Sequence, residues 1–262
     1  MEQNELVEKG TAALEEGDFA QAIDFLKKAR SAGDYSVDVE MVLAEALEAS
    51  GKLNDAADVL RKVIEQDAEA VDACYALGDI LFESGQFEQA RQTYQGILVG
   101  FPDESDAWVS TGLVDFHQGQ IDSAVKCYEK ALQLSPDSTF ALNSLGDARF
   151  STGDISGALA TFRSVIDLDP DDPQAHYNLA EMHYDNEELE QAEQCCLDAL
   201  QCDPGFSYGY LTLGNLYLDM DESRKALHNF QEFLLHENSP AAEDIRAEVA
   251  AVVDGLKAEL NL

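Results

Sequence analysis

Residues 105–138 read SDAWVSTGLVDFHQGQIDSAVKCYEKALQLSPDS, and this stretch decides the fold because altered copies of it fill most of the chain. Gly119 lies where a first helix would end, since glycine readily adopts the left-handed conformation that closes helices. Pro136 lies where a second helix would stop, since proline cannot continue a helix. The stretch therefore predicts two short helices joined by a tight turn.

The copies follow one another every 34 residues without an insertion. One position is alanine in all seven copies, namely Ala22, Ala56, Ala90, Ala124, Ala158, Ala192 and Ala226. A second position is always small, namely Gly10, Ala44, Gly78, Gly112, Gly146, Ala180 and Gly214. A third is glycine in the first five copies, namely Gly17, Gly51, Gly85, Gly119 and Gly153. Small residues let two helices approach closely, and the third position closes the first helix.

The spacing predicts an all-α chain, an α-α superhelix (solenoid) in which each hairpin buries its apolar face against its neighbours. The seven predicted repeats are 3–36, 37–70, 71–104, 105–138, 139–172, 173–206 and 207–240. Residues 241–262 predict a C-terminal capping helix, because apolar residues recur there at helical spacing. Its predicted apolar face comprises Ile245, Val249, Val252, Val253, Leu256 and Leu260.

The pattern resembles the tetratricopeptide repeat (TPR) family over residues 3–240. The resemblance rests on large residues in the first helix, aromatic residues in the second and a closing proline, as in Trp108 and Tyr210, Tyr94, Tyr128, Phe162 and Phe230, and Pro102, Pro136, Pro170 and Pro204. The first two copies have Asp34 and Ala68 in place of proline, and the last two have Glu187 and Asp221 in place of the turn glycine. In the sixth copy Asn186 is expected to take the left-handed conformation instead.

The resemblance implies a non-catalytic protein-interaction scaffold or assembly factor. The alternative is a structural protein that self-assembles by stacking through its end repeats. Some members of the family bind a chaperone's C-terminal carboxylate through a Lys, Asn and Arg clamp, but Met41 and Tyr75 stand where that lysine is wanted. That specialisation is not expected here.

Acidic residues outnumber basic ones by 52 to 16, which gives a formal net charge of −36. Phosphate contacts are made by Lys and Arg, so no nucleic-acid partner is expected. The charge favours a basic protein or peptide partner, although a saline environment is an alternative origin of the acidity. No segment reaches the roughly 20 apolar residues of a membrane span, and the acidic N-terminus is unlike a signal peptide. We therefore predict no membrane insertion and a cytoplasmic location.

In the TPR family the first helix of each repeat lines the concave inner surface, and the resemblance implies that binding residues lie there. Beside the packing positions runs a stripe in which rings alternate with carboxylates, rotated by about 100° around the helix. This inner stripe, the predicted partner-binding site, comprises Tyr75, Asp79, Phe82, Asp106, Val109, Phe116, Asn143, Asp147, Phe150, Tyr177, Glu181 and Tyr184. It suits a basic segment with apolar or aromatic residues, through ion pairs and cation–π contacts. Alternatively the rings pack against the adjacent repeat, although a packed face disfavours unpaired carboxylates.

Reactive side chains form no recognisable catalytic arrangement, so we predict no enzyme activity, no cofactor and no metal. His176 and His183 lie seven residues apart on one helix face, with Cys195, Cys196 and Cys202 nearby in sequence. This grouping permits a metal- or thiol-dependent site in principle. Both histidines occupy large packing positions, which favours a core role.

Salt should raise the melting temperature between low and moderate ionic strength, because it screens repulsion between the like charges along the chain. Thermal unfolding followed by circular dichroism at increasing NaCl concentration measures this effect. An unchanged melting temperature would show that the acidic side chains are already compensated.

Overall fold

The computed structural model describes residues 2–33, 35–67 and 69–261, and within these ranges every regular element is a helix. The helices are α1 (Glu2–Glu15), α2 (Phe19–Ser31), α3 (Val37–Ala49), α4 (Leu53–Gln66), α5 (Val71–Glu83), α6 (Phe87–Gly100), α7 (Ser105–His117), α8 (Ile121–Leu134), α9 (Thr139–Ser151), α10 (Ile155–Leu168), α11 (Pro173–Asp185), α12 (Leu189–Cys202), α13 (Ser207–Asp219), α14 (Ser223–His236) and α15 (Glu243–Leu260). A short 3₁₀ turn at Pro240–Ala242 precedes α15. Asp34 and Ala68, which stand at the proline position of the first two repeats, lie outside the described residues.

The helices pack in consecutive pairs, which confirms the predicted all-α fold class of stacked helical hairpins. The chain divides into two compact units, residues 1–136 with α1–α8 and residues 137–262 with α9–α15. In the first unit each pair also packs on the next through α2 and α3, α4 and α5, and α6 and α7. In the second unit the corresponding contacts join α10 to α11, α12 to α13 and α14 to α15. The division into seven repeats and a cap stays a prediction.

Within four of the hairpins, an aromatic ring of the second helix packs directly against a glycine of the first. The pairs are Gly78 with Tyr94, Gly112 with Tyr128, Gly146 with Phe162 and Gly214 with Phe230. A Cβ atom added to these glycines would lie 2.3–2.5 Å from a ring carbon, so only glycine leaves room for the ring. The predicted alanine position lies one helical turn before the ring on the second helix, and all seven of its members are fully buried.

The second and sixth repeats have alanine in place of the glycine, and their second helices carry smaller side chains. Ala44 precedes Leu60 by the same 16 residues that separate Gly112 from Tyr128, and Ala180 precedes Cys196 likewise. All four side chains are buried. Since interiors are close-packed, the Cβ atom of alanine fits at this position where the facing side chain of the second helix is smaller than an aromatic ring.

The turn between the two helices has the same backbone conformation whatever residue occupies it. In the first five copies the turn glycines have φ between 70° and 79°. In the last two copies Glu187 and Asp221 have φ of 60° and 58°. The prediction for Asn186 is therefore wrong, because its φ is −87° and the left-handed residue is the next one. Position in the repeat fixes this conformation, at a cost of about 1–2 kcal/mol for a residue with a Cβ atom.

The last helix, α15, packs on α14 and buries Val249, Val253 and Leu256. Arg246 Nη1 donates a hydrogen bond of 2.9 Å to the Leu234 carbonyl in the last turn of α14. Val252 was predicted on the apolar face but is 38% exposed. Neighbouring residues point about 100° apart on a helix, so Val252 and Val253 cannot share one narrow face. No helix in the described part of the chain is both long and apolar enough to cross a membrane.

Replacement of Gly112 by alanine is expected to lower the free energy of unfolding by about 1–3 kcal/mol, because overpacking forces the Tyr128 ring to move. Gly96 provides the matched control, since it lies in the middle of α6 with no atom within 4 Å of an added Cβ. Gly96→Ala should raise stability by about 0.5–1 kcal/mol through helix propensity. Urea denaturation followed by circular dichroism measures both, and equal effects would contradict the close contact.

Candidate functional site

The inner stripe lies on first helices in both units, and each unit is described by itself. In the first unit its members lie on α5 and α7, namely Tyr75, Asp79, Phe82, Asp106, Val109 and Phe116. In the second unit they lie on α9 and α11, namely Asn143, Asp147, Phe150, Tyr177, Glu181 and Tyr184. Every one of these residues is exposed or half-buried except Val109, which is 2% exposed and cannot contact a partner.

In three of the four repeats that carry the stripe, its first member contacts the residue that directly precedes the next first helix. Two of these contacts are hydrogen bonds of 3.4 Å, and the third is an edge contact between rings 5.3 Å apart. The pairs are Tyr75 with Glu104, Asn143 with Asp172 and Tyr177 with Phe206. These side chains therefore orient one repeat on the next. For this part of the stripe, the alternative role of packing against the adjacent repeat applies.

The aromatic members further along the first helices keep part of their surface accessible. Phe82 packs its ring 4.7 Å from His117 and 5.4 Å from Phe87, yet stays half-buried. Phe150 packs against the buried side chains of the second unit, and Tyr184 donates a hydrogen bond of 2.5 Å to Asp219. Each ring is thus held on one side by the protein and is open on the other.

The carboxylates of the stripe differ in how far the protein already satisfies them. Asp79 accepts a hydrogen bond of 2.5 Å from the hydroxyl of Tyr94, and Glu181 accepts one of 2.8 Å from Thr212. The Asp147 carboxylate accepts no hydrogen bond from a described residue, although the Asp147 backbone carbonyl accepts one of 2.8 Å from Ser151. Desolvation by the surrounding protein raises the pKa of the Asp147 carboxyl group to about 6. Because solvent still reaches more than a third of Asp147, only part of this shift is expected to appear as a loss of stability.

Four carboxylates of the first unit, Glu45, Glu48, Asp79 and Glu83, lie close together, and the predicted stripe included only Asp79. Burial raises the pKa of Glu48, and the negative charges of Glu83, Asp79 and Glu45 raise it further. Glu45 and Glu48 lie 34 residues before Asp79 and Phe82, so the stripe continues one repeat earlier than predicted. Extension of the 34-residue register by one copy would have found Glu48. Glu83 lies one residue beyond the stripe and gives no such signal.

Beside these carboxylates lies a cavity of about 250 Å³ between α3, α4 and α5. Its lining is mostly apolar and comprises Met41, Val42, Ala44, Glu45, Glu48, Leu60 and Ala76. Met41 and Val42 also line a neighbouring cavity of about 540 Å³, together with Asp38 and Asp72. Neither cavity has a Lys or Arg among its described lining residues, and every charged side chain that lines them is a carboxylate.

The histidines and cysteines of the second unit have structural contacts. His176 Nε2 lies 3.0 Å from the Pro170 carbonyl, where Trp108 and Tyr210 make the matching hydrogen bond to Pro102 and Pro204 in their own repeats. His183 Nδ1 lies 2.6 Å from Glu188, and Cys196 is buried. Within the described residues, no group of three His, Cys, Asp or Glu side chains could hold a metal ion. The large residue at this position ties the proline loop to the first helix.

Family models match most of the chain in consecutive pieces. Models described as tetratricopeptide repeat or TPR repeat match residues 13–67, 47–110, 112–153, 146–187, 173–206 and 195–228. No curated protein sequence matches the chain.

Solved structures with the same fold include several proteins of comparable length. A tetratricopeptide repeat protein from Parabacteroides merdae is 17% identical, with a TM-score of 0.77 over 96% of this chain and 98% of its own. PilF from Pseudomonas aeruginosa is 20% identical, with a TM-score of 0.64 over 80% and 96%. YrrB, described as a TPR protein with an unusual peptide-binding site, is 22% identical, with a TM-score of 0.53 over 70% and 95%. At these identities the likeness shows the fold alone.

The raised pKa of Asp147 predicts a pH dependence of stability. The folded protein holds this proton more tightly than the unfolded chain, whose aspartate has a pKa of about 3.9. The associated stability is therefore fully present below about pH 4 and is lost as the pH rises through about 6. Asp147→Asn should abolish that loss and stabilise the protein at neutral pH by up to about 1 kcal/mol, with no gain below pH 4.

Urea denaturation at a series of pH values measures the effect. Asp167→Asn is the matched control, because it removes the same charge from an exposed position on α10. The same pH response in both variants would show that net charge, and not the surroundings of Asp147, is responsible.

Proposed function

Since the chain belongs to the tetratricopeptide repeat family, we propose that it is a cytoplasmic, non-catalytic interaction scaffold or assembly factor that binds a basic, apolar segment of a partner protein. The fold supports a protein-interaction role in general. The chemical character of the partner follows from the side chains on the first helices. The proposed contact residues are the accessible members of the inner stripe, extended in the first unit by Met41, Glu45, Glu48 and Glu83.

One observation carries the proposal: Glu45 and Glu48 line a mostly apolar cavity that has no Lys or Arg among its described lining residues, and the charges of Asp79 and Glu83 lie close enough to act on Glu48. Charge repulsion contributes to the raised pKa of Glu48, so a cation placed among these groups would relieve repulsion as well as form ion pairs. The cavity beside them accepts an apolar side chain next to that cation. Lys or Arg alternating with Leu, Met or Phe in an extended or helical segment matches this arrangement.

The second unit offers the same chemistry with different residues. Asp147 is exposed and its carboxylate accepts no hydrogen bond from a described residue, and the half-buried rings of Phe150 and Tyr184 lie one helical turn further along their own helices than Asp147 and Glu181. A cation can pair with the carboxylate and contact a ring face. We therefore propose that the second unit can also bind a basic segment by itself.

Selection of a phage-displayed library of random peptides on the full chain tests the proposal. The enriched peptides should combine Lys or Arg with large apolar residues. Binding of a selected peptide, measured by fluorescence anisotropy, should weaken about tenfold on Glu48→Gln with Asp79→Asn, because both changes remove charge from the cavity rim. Asparagine at position 79 still accepts the hydrogen bond from Tyr94, so folding is preserved.

Glu65→Gln with Glu88→Gln is the control pair, since it removes the same charge from exposed positions on the second helices α4 and α6. This pair should leave affinity nearly unchanged. Enrichment of acidic peptides, or equal weakening by both pairs, would contradict a specific acidic site on the first helices.

A further inference from the structure

A second groove lies in the second unit, on the side formed by second helices α12 and α14. Its volume is about 530 Å³, and its lining comprises Leu197, Leu200, Tyr210, Leu213, Tyr217, Arg224, Lys225, His228 and Asn229. Leu213 and Tyr217 form a buried floor, whereas Leu197 is 44% exposed. The groove therefore presents an accessible apolar surface that the first-helix site does not include.

The lining residues of this groove carry positive charge, whereas the net charge of the whole chain is negative. None of its lining residues is Asp or Glu, although acidic residues outnumber basic ones by 52 to 16 overall. Arg224 is exposed and makes no hydrogen bond or ion pair with a described residue. Lys225 Nζ lies 4.7 Å from the Tyr217 ring centroid and 3.1 Å from Glu222, and the pair is half-exposed. Tyr217 donates a hydrogen bond of 2.5 Å to Glu193, and His228 Nδ1 lies 3.9 Å from Glu232. Arg224 is therefore the basic side chain of the rim that no described carboxylate pairs with.

The first unit has a groove at the equivalent place, and its chemistry is different. Most of its lining residues lie 102 positions before those of the second groove, with Trp108 in place of Tyr210, Asp115 in place of Tyr217 and Lys126 in place of His228. Asp115 is fully buried and accepts a hydrogen bond of 2.6 Å from Arg91 Nε, so one basic side chain of this groove is already paired inside it. The groove of the second unit differs because no carboxylate is among its lining residues.

We propose that the groove between α12 and α14 binds an acidic amphipathic helical segment of a partner protein. Apolar side chains of that segment would lie on Leu197, Leu200 and Tyr210, as in other helix-in-groove complexes. Its carboxylates would pair with Arg224 and Lys225 at the rim. A second copy of the chain as the occupant would instead produce a dimer, which light scattering detects. The protein would then hold a basic segment on first helices and an acidic one on second helices.

The test uses the full chain and a fluorescein-labelled synthetic peptide with Leu at helical positions i, i+3, i+4 and i+7 and Glu elsewhere. Anisotropy should show binding that weakens when NaCl rises from about 50 mM to about 300 mM, since screening removes charge attraction. Arg224→Glu with Lys225→Glu should weaken it at least about tenfold, as expected when complementary charges are reversed. Leu197→Ser should weaken it several-fold, because the apolar contact is lost.

Two matched variants and two matched peptides serve as controls for charge and for apolar contact. Arg163→Glu with Lys257→Glu reverses the same number of charges on α10 and α15 and should leave the affinity unchanged, as should Glu48→Gln with Asp79→Asn in the first unit. The same peptide with Ser in place of Leu should not bind to the groove, and a peptide with Lys in place of Glu should bind independently of Arg224 and Lys225. Circular dichroism verifies that each variant is folded.

Three results would overturn the proposal. The first is absence of binding by the acidic peptide, and the second is binding that both charge-reversal pairs affect equally. The third is a dimer detected by light scattering that becomes a monomer on Arg224→Glu with Lys225→Glu, since the occupant would then be a second copy.

Discussion

The contact between a glycine of the first helix and a ring of the second sets the distance between the two helices, and the rest of the hairpin depends on it. At Gly112 an added Cβ atom would lie 2.5 Å from Cε1 of Tyr128. The ring fills the space that a first-helix side chain would otherwise take, and Ala124 is fully buried in the same hairpin. Close approach of the helices then determines which first-helix positions are buried and which stay accessible.

This constraint explains why some first-helix residues of the candidate site contact a neighbouring helix whereas others stay accessible. A first helix buries its glycine face against the second helix and uses neighbouring positions such as Tyr75 to contact the next repeat. Only the remaining face is free for a partner, and the carboxylates there are crowded and partly desolvated. Burial and neighbouring charges raise the pKa of Glu48, and desolvation raises the pKa of Asp147, so the charged forms of both groups are disfavoured by their surroundings.

Local chemistry and repeat spacing were sufficient to predict the helices and turns, whereas contacts between repeats were not predictable. Gly119 and its equivalents mark each turn because the left-handed conformation is a local requirement. The 34-residue spacing applied to the sixth repeat places the left-handed residue at Glu187 and not at Asn186. Applied one repeat earlier, the same spacing places Glu48 in the stripe. In contrast, the hydrogen bond from Tyr75 to Glu104 joins residues 29 positions apart in different repeats. Its existence depends on the stacking of two hairpins, which sequence periodicity does not specify in such detail.

A double-mutant cycle on Gly112 and Tyr128 tests the central claim, that glycine and ring form one interlocking pair. The free energy of unfolding is measured for the parent, for Gly112→Ala, for Tyr128→Leu and for the double variant, which restores the combination found at Ala44 and Leu60. We predict strong coupling between the two substitutions: Gly112→Ala should lower the free energy of unfolding much less when leucine is at position 128. Additive effects of the two substitutions would contradict it.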